Sequence, residues 1–128
     1  MKTKNIITLI GLLNIVQGIV FYIGAETLTK QSFPESMLAG GGVELGTAMH
    51  WPLAVACIVI GIVILSTRDL SLGQAKKVLL YIGLAYSFFL LNGLLQHFTT
   101  PVIVPMPALG LIALIAILSI YTSRTAKA

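Results

Sequence analysis

Charged residues are scarce in this sequence, and long stretches have none at all. Only 9% of the 128 residues are Asp, Glu, Lys or Arg, whereas 57% are hydrophobic. A soluble domain carries about 25% charged residues, so such a chain could not cover its surface in water. The composition therefore indicates a membrane protein.

The residue patterns of common enzyme sites are missing as well. The single cysteine, Cys57, has no partner for a disulfide within one chain, and there is no CxxC, HExxH or phosphate-binding loop. Glu44 and His50 are six residues apart, which places them about 240° apart around a helix. Because they lie on different faces, they are unsuited to act as a pair in acid–base catalysis. No basic patch with aromatic platforms is present. The sequence favours neither an enzyme nor a nucleic-acid binder.

Four apolar stretches account for most of the chain: residues 6–23, 43–66, 78–95 and 102–121. Each is near the ~20 residues that a helix needs to cross ~30 Å of hydrocarbon. Lipid offers no partner to a bare peptide group, so these stretches must be helical. They predict an all-α fold, an integral membrane four-helix bundle that forms a single transmembrane domain over residues 1–128.

The basic residues predict how the spans are oriented. Seven of the eight fall on one side of the membrane, and only Lys30 falls on the other: Lys2, Lys4, Arg68, Lys76, Lys77, Arg124 and Lys127. Basic loops remain in the cytoplasm. We therefore expect a multi-pass protein of the cell (inner) membrane with both termini in the cytoplasm.

The first span could also be interpreted as a signal peptide. Its apolar region is longer than the usual 7–15 residues, it contains Asn14 and Gln17, and "YIGAET" is a poor cleavage site. We expect it to be retained. Cleavage would leave three spans and an N-terminus outside.

Two outer connections carry structural signals. Residues 25–42 mix polar and apolar side chains, which predicts a short amphipathic helix in the membrane interface with Pro34 near its first turn. The three prolines of "QHFTTPVIVPMP" predict that "VIVP" is extended and that the last helix begins between Pro105 and Pro107.

The second span allows two interpretations. If the helix begins near Glu44, Pro52 is interior and kinks it; if it begins at Trp51, the helix is short for a span. We expect the longer, kinked helix. One of its faces then carries small and polar residues at helical spacing, as in a helix–helix interface in lipid: Thr47, His50, Ala54, Cys57 and Gly61.

Three spans carry a polar side chain at the same depth. Gln17, His50 and Asn92 each lie about 7–10 Å inside the outer boundary, and such groups rarely face lipid. We expect them to point into the bundle, Asn92 as part of an inward stripe on the third helix. That stripe is Ala85, Phe88, Asn92 and Gln96, and a more exposed rim would consist of Glu44, Thr47, Gln96 and His97.

This polar cluster has three possible roles. It can be structural, with interhelical hydrogen bonds that set helix register. It can line an outward-facing pocket for a lipid, a quinone or another apolar small molecule. It can also hold haem b between His50 and His97 as axial ligands. If the cluster is structural, no cofactor is expected. In none of the three roles is a metal expected other than the iron of haem.

Short patterns in the sequence resemble a known group of membrane proteins. They are "GLLNIVQGIVFYIG", "SFPES", "IVIGIVILSTRDL" and "AKKVLLYIG". In this order they are similar to the small four-helix bacterial membrane proteins of the DoxX-like and related uncharacterised families. The resemblance implies an inner-membrane four-helix protein, sometimes associated with redox partners, without established catalytic residues.

The sequence as a whole predicts a non-enzymatic membrane protein. Close-packing surfaces of small residues, such as Gly11 with Gly18, favour an accessory or assembling subunit of a membrane complex or homo-oligomer. Its partners would be membrane lipids and another membrane protein or itself. The alternative is a binder of an apolar molecule at the outer polar cluster.

The predicted orientation can be tested by labelling in intact cells. Cysteines introduced at Lys4, Gln74 and Lys127 should be protected from a membrane-impermeant thiol reagent, and a cysteine at Lys30 should react. Reaction at position 74 together with protection at position 30 would show the opposite orientation.

Overall fold

The computed structural model describes residues 2–127, and most of these residues are helical. Six helices and no strand are present in that part of the chain. They are α1 (Thr3–Ile23), α2 (Ala25–Ser32), α3 (Glu35–Leu38), α4 (Gly42–Ser66), α5 (Leu72–Thr99) and α6 (Met106–Thr125).

Four of these helices are long and apolar enough to cross a membrane: α1, α4, α5 and α6. The prediction of an all-α protein with four spans is therefore confirmed, and the chain is a multi-pass membrane protein by the length and composition of its helices. α4 continues through Pro52, as the longer of the two alternatives predicts. The kink at Pro52 remains a prediction.

Glycines allow α1 and α4 to pack with their backbones almost in contact. A Cβ atom on Gly61 would lie 2.6 Å from the carbonyl oxygen of Gly11, and one on Gly18 would lie 2.6 Å from that of Ala54. Helices in lipid gain little from burying apolar side chains, so close backbone approach supplies much of their attraction. The small residues of α1 and α4 are thus used within the chain.

The second pair of helices is α5 and α6, which meet at Gly83 and Gly93 of α5. α1 joins the two pairs, because it packs against both α5 and α6, whereas the backbone of α4 stays apart from those of α5 and α6 in residues 2–127. Buried side chains of α1, α4, α5 and α6 form the shared core: Ile6, Ile7, Ile10, Ile64, Ala75, Leu79, Tyr86, Ile115 and Ala116.

A buried hydrogen bond crosses between the pairs near the middle of the membrane. The hydroxyl of Tyr86 on α5 donates to Oδ1 of Asn14 on α1, and Asn14 Nδ2 donates to the carbonyl of Ile10 at 2.9 Å. Asn14 is 2% exposed. Both ends of its amide are therefore satisfied, which is what a buried polar group inside a bundle requires.

Both chain ends and the α4–α5 connection lie together, at what we call the basic end. Lys2, Lys4 and Lys127 line one groove there, and Lys4 Nζ is 2.6 Å from Asp69 Oδ1. Hydrogen bonds from Lys4 and then Arg68 hold the pKa of Asp69 below its usual range. The stabilisation by ionised Asp69 is present above the usual carboxyl pKa and is lost as the pH falls through the lowered value.

The opposite, α2 end is closed by the segment between α1 and α4. α2 folds back onto α4, and the extended residues 102–105 lie beside it, where the amide of Ile103 donates to the carbonyl of Ser32 at 2.8 Å. α6 begins at Met106, within the predicted interval. Pro34 caps the short α3, so a helix begins at this proline as predicted, whereas the longer α2 before it was not predicted. Gly40 and Gly41 adopt positive φ and reverse the chain into α4.

The packing of α1 against α4 predicts a difference between two glycine substitutions. Gly18→Ala should destabilise the protein by about 1–3 kcal/mol, because its Cβ would meet the α4 backbone at Ala54. Gly110→Ala on α6 is the matched control, since nothing lies within 4 Å of its Cβ and alanine favours a helix by about 1 kcal/mol. Thermal unfolding in detergent measures both, and an equal loss of stability in the two variants would contradict the packing.

Candidate functional site

A group of polar contacts forms around His50, where α2 meets α4. His50 Nδ1 lies 2.8 Å from the carbonyl oxygen of Gly46 and 3.2 Å from Thr29 Oγ1 on α2. Thr29 is fully buried, and a Cβ on Gly46 would lie 2.4 Å from its methyl carbon. Gly46 therefore lets α2 approach closely enough for Thr29 to contact the histidine.

The partners of Nδ1 determine the tautomer of His50. The Gly46 carbonyl can only accept a hydrogen bond, and the Thr29 hydroxyl already donates its hydrogen to the Ala25 carbonyl at 2.8 Å. Both atoms are thus acceptors for a hydrogen on Nδ1. In the neutral imidazole, Nε2 is then left as an acceptor. Phe21 on α1 packs edge-on against the ring and steadies it further.

His50 also lines a groove between α4 and α5 at the α2 end, which we call the His50 groove. Its volume is about 300 Å³, and its walls come from α4, α5 and the residue that follows α2: Phe33, Gly46, Met49, His50, Leu53 and Gln96. Apolar side chains predominate, with one imidazole and one carboxamide among them. Concave, mostly apolar sites with a few polar groups are the usual form of small-molecule sites.

The structure brings together only part of the predicted cluster. His50 and Gln96 share the groove. Gln17 and Thr47 are half-buried, and Glu44 is exposed, but none of them lines it. Thr47 Oγ1 and His97 Nδ1 are buried and have no hydrogen-bond partner within the described residues.

The predicted inward stripe on the third span is wrong. Ala85, Phe88, Asn92 and Gln96 are all exposed. The face of α5 that packs against α1 and α6 consists instead of Ala75, Leu79, Gly83, Tyr86 and Gly93. Polarity suggested that Asn92 faces inward, but the small residues Gly83 and Gly93, which admit α6, decide the orientation of the helix.

The histidines do not support the haem interpretation. Two axial ligands must face one cavity, whereas the groove is lined by His50 and not by His97. The imidazole of His97 stacks edge-on against the adjacent Phe98. Residues 2–127 contain no group of three or more His, Cys, Asp or Glu side chains that could hold a metal ion.

Two important residues were not predicted from the sequence. Thr29 lies in a segment expected only at the membrane interface, although Ala25, Thr29 and Ser32 form a small-residue face at helical spacing that could have indicated close packing. Tyr86 was also missed, because tyrosine inside a span has no distinctive pattern until its partner, Asn14, is known.

Comparisons with known proteins found no relative: no family model, no curated protein and no solved structure matches the chain. The resemblance to DoxX-like proteins remains a prediction.

The contacts of His50 predict unequal effects for two substitutions. His50→Asn retains a donor near the position of Nδ1, so it should keep α2 attached to α4. His50→Leu removes the donor and should cost about 1 kcal/mol, within the range of interhelical hydrogen bonds in membranes. Thermal unfolding in detergent measures the difference. Equal stability of the two variants would show that the histidine does not hold α2.

Proposed function

We propose that the protein is a non-enzymatic membrane protein that holds a lipid, a quinone or a similar apolar molecule in the His50 groove. The proposal rests on one observation: a groove of about 300 Å³ lies between two spans whose backbones stay apart, with a positioned imidazole in its wall. Ligand sites begin at about this size.

The groove's lining defines the chemistry of a suitable ligand. Phe33, Met49 and Leu53 offer an apolar surface, which suits an acyl or isoprenoid chain or a ring. Nε2 of His50 can accept a hydrogen bond from a hydroxyl group, and the carboxamide of Gln96 can donate one to a carbonyl. The ligand we infer is therefore mostly apolar and carries one or two oxygen groups. Under the predicted orientation, it enters from the outer leaflet of the inner membrane.

A substitution that fills the groove tests this proposal. The wild-type chain, purified in mild detergent, should retain about one molecule of lipid or quinone per chain, identified by mass spectrometry. Leu53→Trp should expel it, because the indole would occupy the groove. Val55→Trp is the control: Val55 is 51% exposed and Leu53 49%, but Val55 lies outside the groove, about 200° around α4.

The proposal is supported if the wild type and Val55→Trp retain the bound molecule and Leu53→Trp loses it. That result would show that the molecule binds in the groove. Absence of any stoichiometric molecule from the wild type, or equal retention by both variants, would contradict the proposal.

A second candidate function is that of an accessory or assembling subunit of a membrane complex or homo-oligomer. The glycines that suggested it are used within the chain, but a different observation favours it. Asn92 is exposed on a membrane-spanning helix, and polar side chains inside spans rarely face lipid. A partner protein that covers Asn92 would shield its carboxamide from lipid.

A further inference from the structure

α5 exposes most of the side chains that lie outside the face packed within the chain. Six of these exposed residues lie at alternating intervals of four and three on a face that includes Asn92, and we call this face the α5 seam: Tyr81, Ala85, Phe88, Asn92, Leu95 and Thr99. The seam covers 19 positions, or about 27 Å at the helical rise, close to the ~30 Å thickness of the hydrocarbon. It therefore extends over most of the membrane depth.

The α5 seam lies opposite the face that α5 uses within its own chain. At 100° per residue, the seam and the buried face around Leu79, Gly83 and Tyr86 point about 200° apart. Packing of α5 against α1 and α6 therefore leaves the seam fully available. Gln96, which lines the His50 groove, lies beside the seam and not in it.

Asn92 identifies what kind of partner the seam requires. It lies seven residues before the end of α5, about 10 Å along the helix, within a candidate membrane span. Its side chain makes no hydrogen bond within residues 2–127, whereas those of Tyr86 and Ser87 on the same helix do. A carboxamide carries a donor and an acceptor, so two Asn92 side chains related by a two-fold axis can satisfy each other. The seam is therefore complementary to itself.

The spacing of the seam fits a parallel pair of helices. Intervals of four and three define the contact positions of a left-handed coiled coil, and a single asparagine at such a position sets register and oligomeric state. Copies of one chain in one membrane share an orientation, so their α5 helices are parallel and each Asn92 meets its counterpart at the same depth. A second copy thus matches the seam in direction, depth and hydrogen bonding.

We propose that the protein forms a parallel homodimer through the two α5 seams, with the Asn92 carboxamides hydrogen-bonded to each other across the two-fold axis. This inference rests on the second candidate function, assembly in the membrane, and is independent of ligand binding in the His50 groove.

Disulfide cross-linking of the full-length chain tests the position of the interface. In a Cys57→Ser background, Tyr81→Cys should form a disulfide-linked dimer on mild oxidation in membranes. Tyr121→Cys on α6 is the matched control: the two tyrosines are 66% and 60% exposed, and each lies about one turn from the basic residues at its end of the helix. The control should remain monomeric in the same experiment.

The contribution of Asn92 is measured by the dimer dissociation constant. Dilution of labelled chains in lipid vesicles, followed by energy transfer, should give a constant that rises roughly three- to twentyfold in Asn92→Leu, as expected for loss of an interhelical hydrogen bond. Asn92→Gln should retain most of the affinity. Leu94→Ala, which is exposed on α5 about 140° from the centre of the seam, should leave the constant unchanged.

Each contrary result has a separate meaning. A wild-type chain that stays monomeric in vesicles overturns the α5 dimer and removes self-assembly as a function. A dimer that cross-links through Tyr121→Cys but not Tyr81→Cys preserves assembly and overturns the seam. Recovery only as a complex with a different membrane protein, with no contact between two copies, overturns the homodimer while the subunit role stands.

Discussion

The close approach of α1 and α4 at Gly11, Gly18 and Gly61 is the contact on which the arrangement of the other helices depends. A single Cβ at Gly18 or Gly61 would meet a backbone atom of the facing helix. Because lipid provides no hydrophobic drive toward association, helices that cannot approach closely have little reason to associate. This contact places α4 at one side of the molecule, and α1 is the spanning helix that packs against α4 as well as against α5 and α6.

The position of α4 at one side of the molecule explains where the His50 groove lies. Buried apolar side chains gather toward the basic end, where Ile6, Ile10 and Leu79 meet, and the Asn14–Tyr86 hydrogen bond lies near mid-membrane. Closer to the α2 end, the backbones of α4 and α5 stay apart, which leaves space between them. α2 bridges this end, since Thr29 contacts His50 on α4 and Ser32 accepts a hydrogen bond from the segment before α6.

Three intramembrane polar residues have three different surroundings. Asn14 is buried and hydrogen-bonded at both ends of its amide, His50 is positioned by Thr29 and Gly46 beside a groove, and Asn92 is exposed. Membranes penalise unsatisfied polar groups, so each environment implies a different role. Asn14 is structural, and we assign His50 to a site that binds an apolar molecule and Asn92 to an interface between chains.

The sequence by itself determined the class of protein, the four spans, the extended segment before Pro105 and the helix through Pro52. These follow from local composition and backbone chemistry, because every peptide group in lipid must find a partner within its own segment. The close-packing surface of Gly11 and Gly18 on α1 was also readable from the spacing of small residues. Only the tertiary structure decided which face of α5 turns inward, that Thr29 reaches His50, and that Tyr86 pairs with Asn14. Those outcomes depend on which helices approach one another and at what distance, and neither hydropathy nor spacing along one helix contains that information.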